Sequence, residues 1–600
     1  MTDQKAENLL NLALSTPEEE RIQTDELNVG FDSEAKTWEV IVTYSGNLQE
    51  ILEQKYPQVS IKELLGGFAI LKIPESLIEE VIQTEEIEYV EKPKKLYFAV
   101  NRAKAASCFL PVQKTNIDAD HGPDKNANET DRLHLSGSGV LIAVVDSGID
   151  YFHDDFRNPD GSTRILFLYD QVLNRVFTKE EIDRALKTGN RAEARELVPS
   201  FDPSGHGTAV AGIAAGNGKE SAGRYRGAAY DSDLIIVKLG VSDPNGFPRT
   251  TQVMDGLDFV IRKAQELRKP VAVNLSFGNS YGSHDGSGLF ERYIDRLSEI
   301  GKSVFVIGAG NEGDKSGHVG GKLSNQKNSE DIELSVAPYE PGFGVQLWKN
   351  YEDVFDVYLT NPAGTITEQI RDRNGAYEIK MGSTRVLVYY GEPGPFSESQ
   401  ELYFDFLSED GAVESGIWNI TLQPVRIVDG RYDLWLPTSG AVNRSTRFLR
   451  ADPDSTLTIP STASRPITVG AYNDAVDAYA AFSGRGPASD SGLIKPDLVA
   501  PGVNVIAPKR GGGYEPVTGT SFAAPLVTGA AALLMEWGII DGNDPYLYGD
   551  KVKAYLKRGA RPLPGENRYP NSKAGWGKLC VADSIPSIYK EILVLKWDTL

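Results

Sequence analysis

Residues 140–150 read VLIAVVDSGID. An unbroken apolar run rich in β-branched side chains ends in Asp146, followed by Ser147 and Gly148. Such a run is the pattern of a strand buried on both faces, as in a parallel sheet; a half-exposed strand would alternate with polar residues. An acid at the C-terminal end of such a strand faces the crevice where open α/β sheets place their ligands. On this segment alone, Asp146 reads equally well as a turn cap.

Outward from this run the same pattern recurs. Val271–Leu275 is a second buried-type strand, and 207–215 and Thr251–Leu267 carry helical patterns. This alternation predicts an α/β fold of three layers, a mostly parallel sheet covered on both faces. Between about 326 and 445 the helical pattern stops. There EDIELSVAP (330–338), FGVQLWKN (343–350), DVFDVYLTN (353–361), TRVLVYYG (384–391), GIWNITLQPV (416–425) and RYDLWLP (431–437) alternate apolar and polar residues between turn signals. That predicts an antiparallel, all-β jelly roll inserted into the α/β domain, whose pattern resumes near 455.

The first hundred residues differ from both. A strand at 37–46, a helix at 47–56, an extended run at 59–73 with Gly66-Gly67 as its turn, a helix at 75–86 and an extended stretch at 88–100 give the order β-α-β-β-α-β. That order fits a small ferredoxin-like α+β domain. The predicted organisation is therefore 1–100, 101–325, 326–445 and 446–600, the second and fourth segments forming one domain. A chain of 600 residues needs several such units.

Composition excludes some functions. A formal charge of -22 makes nucleic acid and anionic membranes poor partners, because phosphate binding needs a basic surface. The start, MTDQKAENLLNLALSTPEEE, lacks the basic beginning and continuous apolar run of a secretory signal, so a cytoplasmic or spore-associated location is expected. No window reads as a membrane span. Cys108 and Cys580 are far apart in sequence and read as separate thiols in a reducing compartment. No HExxH and no Cys/His cluster with zinc spacing occurs, so neither a metal nor another cofactor is expected.

Three further segments carry candidate chemistry. In SGHGTAVAG (204–212), His206 lies between two glycines at the start of a small-residue helix; His121, His134, His153, His284 and His318 lack such a setting and read as surface or turn residues. In GTSFAAPLVTG (519–529), Ser521 opens an Ala-rich helix whose N-terminal N–H groups favour developing negative charge. Pro525 inside that helix points to a specialised site. In VFVIGAGNEG (304–313), a buried strand ends in Asn311, whose amide is a candidate oxyanion donor. Each signal alone has an ordinary structural explanation.

Together and in this order, DSGID, SGHGTAVAG, GAGNEG and GTSFAAP resemble the Asp, His, Asn and Ser motifs of the subtilases. The resemblance covers roughly 136–325 and 450–600. It implies a serine endopeptidase with Ser521 as nucleophile, His206 as general base, Asp146 orienting the histidine and Asn311 binding the oxyanion. It also implies a polypeptide substrate held along Ser276, Phe277 and Gly278, with Gly308, Ala309 and Gly310 opposite. Residues 242–250 match a second clamping strand loosely. The first hundred residues fit the family's propeptide, which would occupy the cleft as an inhibitor and be cut off by self-cleavage within roughly 97–110.

The chain departs from the family pattern in places. Phe522 replaces the usual methionine beside the nucleophile, and Ala209 stands where a second histidine is common; both predict altered packing behind the catalytic groups. Asp155 matches a calcium-binding acid of many subtilisins, but the loop after the His206 helix carries Lys219, Arg224 and Arg226, poor company for Ca²⁺. The unsecreted start, a propeptide ending in IEYVEKPKKLYFA (87–99) and the β-insertion resemble the Csp germination proteases of spore-forming clostridia. That resemblance implies a spore cortex-lytic precursor as substrate. A regulatory subtilase acting by binding is the alternative; it is marked by loss of a triad residue, and all three are present here.

Overall fold

The computed structural model describes residues 4–21, 25–94, 97–98, 106–113, 133–240, 247–326, 329–370, 375–487 and 494–586. The strand Leu141–Asp146, buried at every position, lies in the middle of a nine-stranded sheet. Its neighbours Val271–Leu275 and Asp233–Lys238 run parallel to it. The parallel order continues through Ser303–Gly308 to Ile467–Asn473 and Leu498–Pro501 on one side, and to Ile165–Asp170 on the other. Short antiparallel strands, Ala478–Tyr479 and Arg175–Thr178, finish the sheet.

Successive strand residues point to opposite faces, and each face has its own core. Val140, Ile142 and Val144 pack with the helices His206–Ala215 and Thr520–Met535. Leu141, Ala143 and Val145 pack with the helices Thr250–Leu267 and Leu289–Leu297. This is why the run at 140–145 is apolar throughout rather than alternating.

The segment Thr520–Ile540 is long and apolar enough to cross a membrane by length and composition, a window the sequence reading passed over. It is a core helix here, with 89% of that window buried inside the protein.

Two antiparallel sheets lie between Ser303–Gly308 and Ile467–Asn473. One has six strands, running from His318–Lys322 to Gly375–Met381 at its edges; the other has four and is built around Gly416–Arg426. Their inner faces share one core that includes Val345, Phe404, Phe406, Trp418 and Ile420. The six alternating segments read from the sequence all contribute strands.

The N-terminal unit has the expected β-α-β-β-α-β order, with strand pairing 87–91 to 37–44 to 68–74 to 60–64. Gly66 and Gly67 both take positive φ, 82° and 78°, in the turn between its second and third strands. A helix not expected from the sequence, Asn8–Ser15, precedes this order. It buries Leu9, Leu10, Leu12 and Ala13 in a core shared with Leu387, Tyr389, Tyr403 and Leu407 of the sandwich.

The other side of the unit's sheet places Ile41, Leu64, Phe68 and Ile70 in the core formed by helices Thr250–Leu267 and Leu289–Leu297. The N-terminal unit is thus wedged between two neighbours. Each fully buried large apolar side chain contributes about 1.5–3 kcal/mol relative to exposure, so neither contact is incidental.

Cys108 and Cys580 form a disulfide, with Cα atoms 4.9 Å apart, which corrects their reading as separate thiols. Their separation of 472 residues hid the contact. The segment around Ser107 lies against the helix Val581–Ser584, with Val581 N–H donating to the Ser107 carbonyl at 3.1 Å.

Of the histidines expected at the surface or in turns, three are buried, which corrects the surface part of that reading; His153 and His284 lie in bends, and His318 begins a strand. His284 and His318 both stack on Trp435, with ring centroids 4.1 and 5.0 Å away. His153 bonds to the Gly513 carbonyl and lies 3.0 Å from the Glu220 carboxylate. Aromatic stacking and long-range carbonyl partners leave no local sequence trace. His134 is exposed, and His121 lies outside the described residues.

Candidate active site

Asp146 ends its strand fully buried, and its Oδ1 is 2.8 Å from Nδ1 of His206. The same oxygen accepts the Ser147 N–H at 2.7 Å. His206 opens its helix after Gly205, whose φ of 82° is a left-handed conformation that favours glycine. Gly207 is required for a different reason: a Cβ there would run into the Gly148 carbonyl and come within 3.1 Å of Asp146 Oδ1. The small residues around the histidine thus let the helix start approach the strand end closely enough for the pair to form.

Asp202 holds the two segments together, a residue the sequence reading missed. Its Oδ1 accepts from Ser147 Oγ (2.7 Å) and Gly205 N–H (2.9 Å), and its Oδ2 from the N–H and Oγ1 of Thr208 (2.8 and 2.7 Å). An acid a few residues before a helix start is the one local signal of this role.

Behind the imidazole, Phe522 packs its ring 5.1 Å from that of His206, and Ala209 is buried in the core beneath. These are the two departures from the family motifs. A flat aromatic fills the space beside the histidine without adding a polar group.

Ser521 is the second residue of the helix Thr520–Met535. Its Oγ donates to the Ser276 carbonyl at 3.2 Å, and Ser276 Oγ returns a bond to the Ser521 carbonyl at 3.1 Å. Deeper along the same helix, Thr528 Oγ1 donates to Asn274 Oδ1 (3.0 Å), fixing the helix on the strand that leads to Ser276. Asn311 follows the strand Ser303–Gly308, and its Oδ1 accepts from Thr520 N–H at 3.0 Å. That leaves the side-chain NH₂ as the amide's donor group.

Ser276, Phe277, Gly278, Gly308, Gly310, Asn311 and Ser521 line one cavity of about 300 Å³. Ala309 stands behind the wall: its N–H donates to Val469 and its carbonyl accepts from Thr458 N–H. The cavity also draws on Glu312, Thr438, Ser439 and Thr458, none of which the sequence reading singled out.

Alongside it, Phe277–Gly278 pairs antiparallel with Tyr97–Phe98 from the end of the N-terminal unit, with Phe277 opposite Phe98 and Gly278 opposite Tyr97. Residues 99–105, which hold much of the expected cleavage region, and 241–246 of the loosely matched second clamping strand lie outside the described residues.

Asp155 is buried, and its carboxylate accepts from the Tyr514 hydroxyl and from Glu220 N–H. Burial raises its pKa above the usual carboxylate value. The guanidinium of Arg164 donates to the carbonyls of Asp155, Ala215 and Ser232 close by. Among the described residues no group of three or more His, Cys, Asp or Glu side chains is arranged to hold a metal ion.

Residues 4–94 match the family described as Csp protease B prodomain, and residues 137–340 and 440–577 match the Subtilase family. The interruption at 341–439 takes in most of the inserted sandwich. The solved CspB protease of Clostridium perfringens is 38% identical, with a TM-score of 0.72, over 76% of this chain and 94% of that one.

The minor extracellular protease Vpr of Bacillus subtilis (strain 168) is 24% identical over 87% of this chain, and a C5a peptidase of Streptococcus pyogenes serotype M18 is 24% identical over 77%. The matched part spans 60% and 42% of the lengths of those two curated relatives. With the family's parallel sheet and its prodomain, this chain belongs to the subtilase family of serine proteases.

Proposed function

We propose that the protein is an endopeptidase that hydrolyses peptide bonds through an acyl-enzyme on Ser521. The observation that carries this reading is the buried Asp146–His206 pair at 2.8 Å, whose imidazole packs against Phe522, next to Ser521, and lies 6.2 Å from the ring of Phe277, which lines the same cavity as Ser521 and Asn311. In the proposed cycle, His206 accepts the Ser521 hydroxyl proton as Oγ attacks the scissile carbonyl, and returns it to the leaving amine. Asp146 fixes the tautomer, with the proton on Nδ1, and stabilises the imidazolium. The NH₂ of Asn311 and the backbone N–H of Ser521 receive the oxyanion. Water then attacks the acyl carbonyl, again through His206.

The pairing of Tyr97–Phe98 with Phe277–Gly278 supports a second element of the proposal. The tail of the N-terminal unit occupies the strand-addition site a substrate would use, after self-cleavage within roughly 97–110. The match to the Csp prodomain supports a precursor-processing protease of the Csp type; a spore cortex-lytic precursor as substrate is part of the same proposal, and so is a cytoplasmic or spore-associated location, for which the Cys108–Cys580 disulfide removes the argument from free thiols.

Intact mass and N-terminal mapping of wild type beside Ser521→Ala test the proposal. A wild-type chain cut near 97–110 with the variant intact is expected; equal cutting of both would refute it. The same occupied cleft favours one other reading, a latent subtilase acting by binding. That reading predicts an uncut wild-type chain whose Ser521 fails to label with a fluorophosphonate.

A further inference from the structure

Another cavity, of about 230 Å³, opens at the end of the parallel sheet away from Ser521. Val271 and Ser303, in its lining, are the first residues of two neighbouring parallel strands, and Gly308, in the active-site cavity, is the last residue of the second. Ile261 and Ala264 of the helix Thr250–Leu267 and Ile300, just before the second strand, complete a groove whose accessible lining is mainly apolar.

Arg268 and Lys302 stand exposed at the rim of this groove. Among the described residues neither has a carboxylate partner, whereas Lys269 beside them pairs with Asp233 at 2.6 Å. The chain as a whole carries a charge of -22, so two uncompensated cations around an apolar floor are out of keeping with its surface. The combination suits an apolar segment flanked by acidic residues.

Such a segment follows the last described residue, Pro586. Residues 587–600 read SIYKEILVLKWDTL, in which Ile592–Leu595 is an unbroken apolar run, Trp597 adds to it, and Glu591 and Asp598 lie on either side. The helix Asp550–Gly559 connects the groove with the start of this segment. Gly549 N–H, just before the helix, donates to the Ser303 carbonyl at 3.0 Å, and a Cβ on Gly559, its last residue, would collide with Ser584. Its 10 residues span about 15 Å, and fourteen extended residues reach as far as about 46 Å. A tethered segment also meets the groove at an effective concentration in the mM range, whereas a second copy of the chain would bring its own charge of -22 against the first.

We propose that this groove is the docking site of the chain's own segment 587–600, with the apolar run on the groove floor and Glu591 and Asp598 facing Arg268 and Lys302. Docking ties the helix Val581–Ser584 to the end of the helix Thr250–Leu267, the same helix whose core the N-terminal unit shares. The proposal is independent of the chemistry at Ser521.

The test compares the full chain with a chain ending at Pro586. A fluorescein-labelled peptide of the sequence 587–600 is titrated against each and read by anisotropy. Saturable binding to the shortened chain is expected, with binding to the full chain at least about 10-fold weaker because its groove is already filled. Arg268→Glu combined with Lys302→Glu should weaken peptide binding to the shortened chain at least about 5-fold. In the full chain, carbodiimide coupling followed by peptide mapping should join Lys302 to Glu591 or Asp598 within a monomer.

Equal peptide binding by the two chains, or binding indifferent to the charge reversal, overturns the inference. So do Lys302 cross-links found only between chains, which would assign the groove to a second copy. If the shortened chain fails to fold, the cross-link map of the full chain decides: a Lys302 link to Glu591 or Asp598 in the monomer supports the docking, and its absence refutes it.

Discussion

Gly278, in the wall of the cavity beside Ser521, pairs antiparallel with Tyr97 of the chain's own N-terminal unit. The contact is extended by two shared cores, one with the helices Thr250–Leu267 and Leu289–Leu297 and one with the sandwich. Polar bonds reinforce it: Lys94 N–H donates to Thr250 Oγ1 (2.8 Å), and Thr250 N–H donates to the Lys94 carbonyl (2.7 Å). A single backbone cut after residue 98 removes none of these interactions. The cleaved fragment is therefore expected to co-elute with the rest of the chain in gel filtration, and separation of the two would show that the shared cores do not hold it.

Deleting 326–445 removes the sandwich side of that wedge, including Leu387, Tyr389, Tyr403 and Leu407. The variant is expected to lose the N-terminal fragment and to be digested faster by an added protease, since kinetic stability follows the unfolding barrier. Resistance equal to wild type would remove the sandwich from this role.

Asp146→Asn keeps the shape of the strand end but reverses the proton preference of its bond to His206 Nδ1. A fall in kcat of about 10⁴ is expected. Asn311→Ala removes the proposed oxyanion donor and should cost about 10²–10³. Both variants should keep the wild-type Tm within a few degrees, so kinetics and thermal melts together separate lost chemistry from lost folding.

The Cys108–Cys580 bond closes most of the chain into one loop. Cys580→Ala is expected to lower stability by about 2–4 kcal/mol, read as a drop in Tm. Native protein should show no thiol reactive with Ellman's reagent until it is denatured and reduced.

A pH dependence is built into the junction of the three units. Glu401 of the sandwich and Glu291 of the α/β unit are buried there, with Glu7, Glu91 and Lys94 of the N-terminal unit and Asp285 nearby. Burial raises their pKa values from the ordinary 4.5 to about 7 and about 8. Because the folded values are the higher ones, the stability these groups contribute is complete below about pH 4.5 and is lost as pH rises through 7 to 8. Tm is expected to fall between pH 5 and 9, and Glu401→Gln should flatten that slope. An unchanged slope would place the titration elsewhere.

Much of this was legible in the sequence because it is written locally. The apolar run at 140–145, the glycines around His206 and the Ala-rich segment after Ser521 each state their backbone need within about ten residues, and the sheet, helices and motif positions follow. The alternating segments of 330–437 announced their strands in the same way. The helix Asn8–Ser15 was not legible, because its apolar face is buried partly by the N-terminal unit and partly by Leu387, Tyr389, Tyr403 and Leu407, far away in sequence.

By itself, then, the sequence determined the layered α/β sheet, the antiparallel insertion, the leading β-α-β-β-α-β unit and the order Asp146, His206, Asn311, Ser521. Tertiary structure alone decided that Cys108 meets Cys580, that three histidines are buried, that Asp202 ties strand to helix, and that Ser439 reaches Glu312 from the far side of the insertion. The difference is physical. Periodicity and backbone conformation depend on near neighbours, whereas burial, hydrogen-bond partners and pKa depend on what the fold brings together from hundreds of residues away.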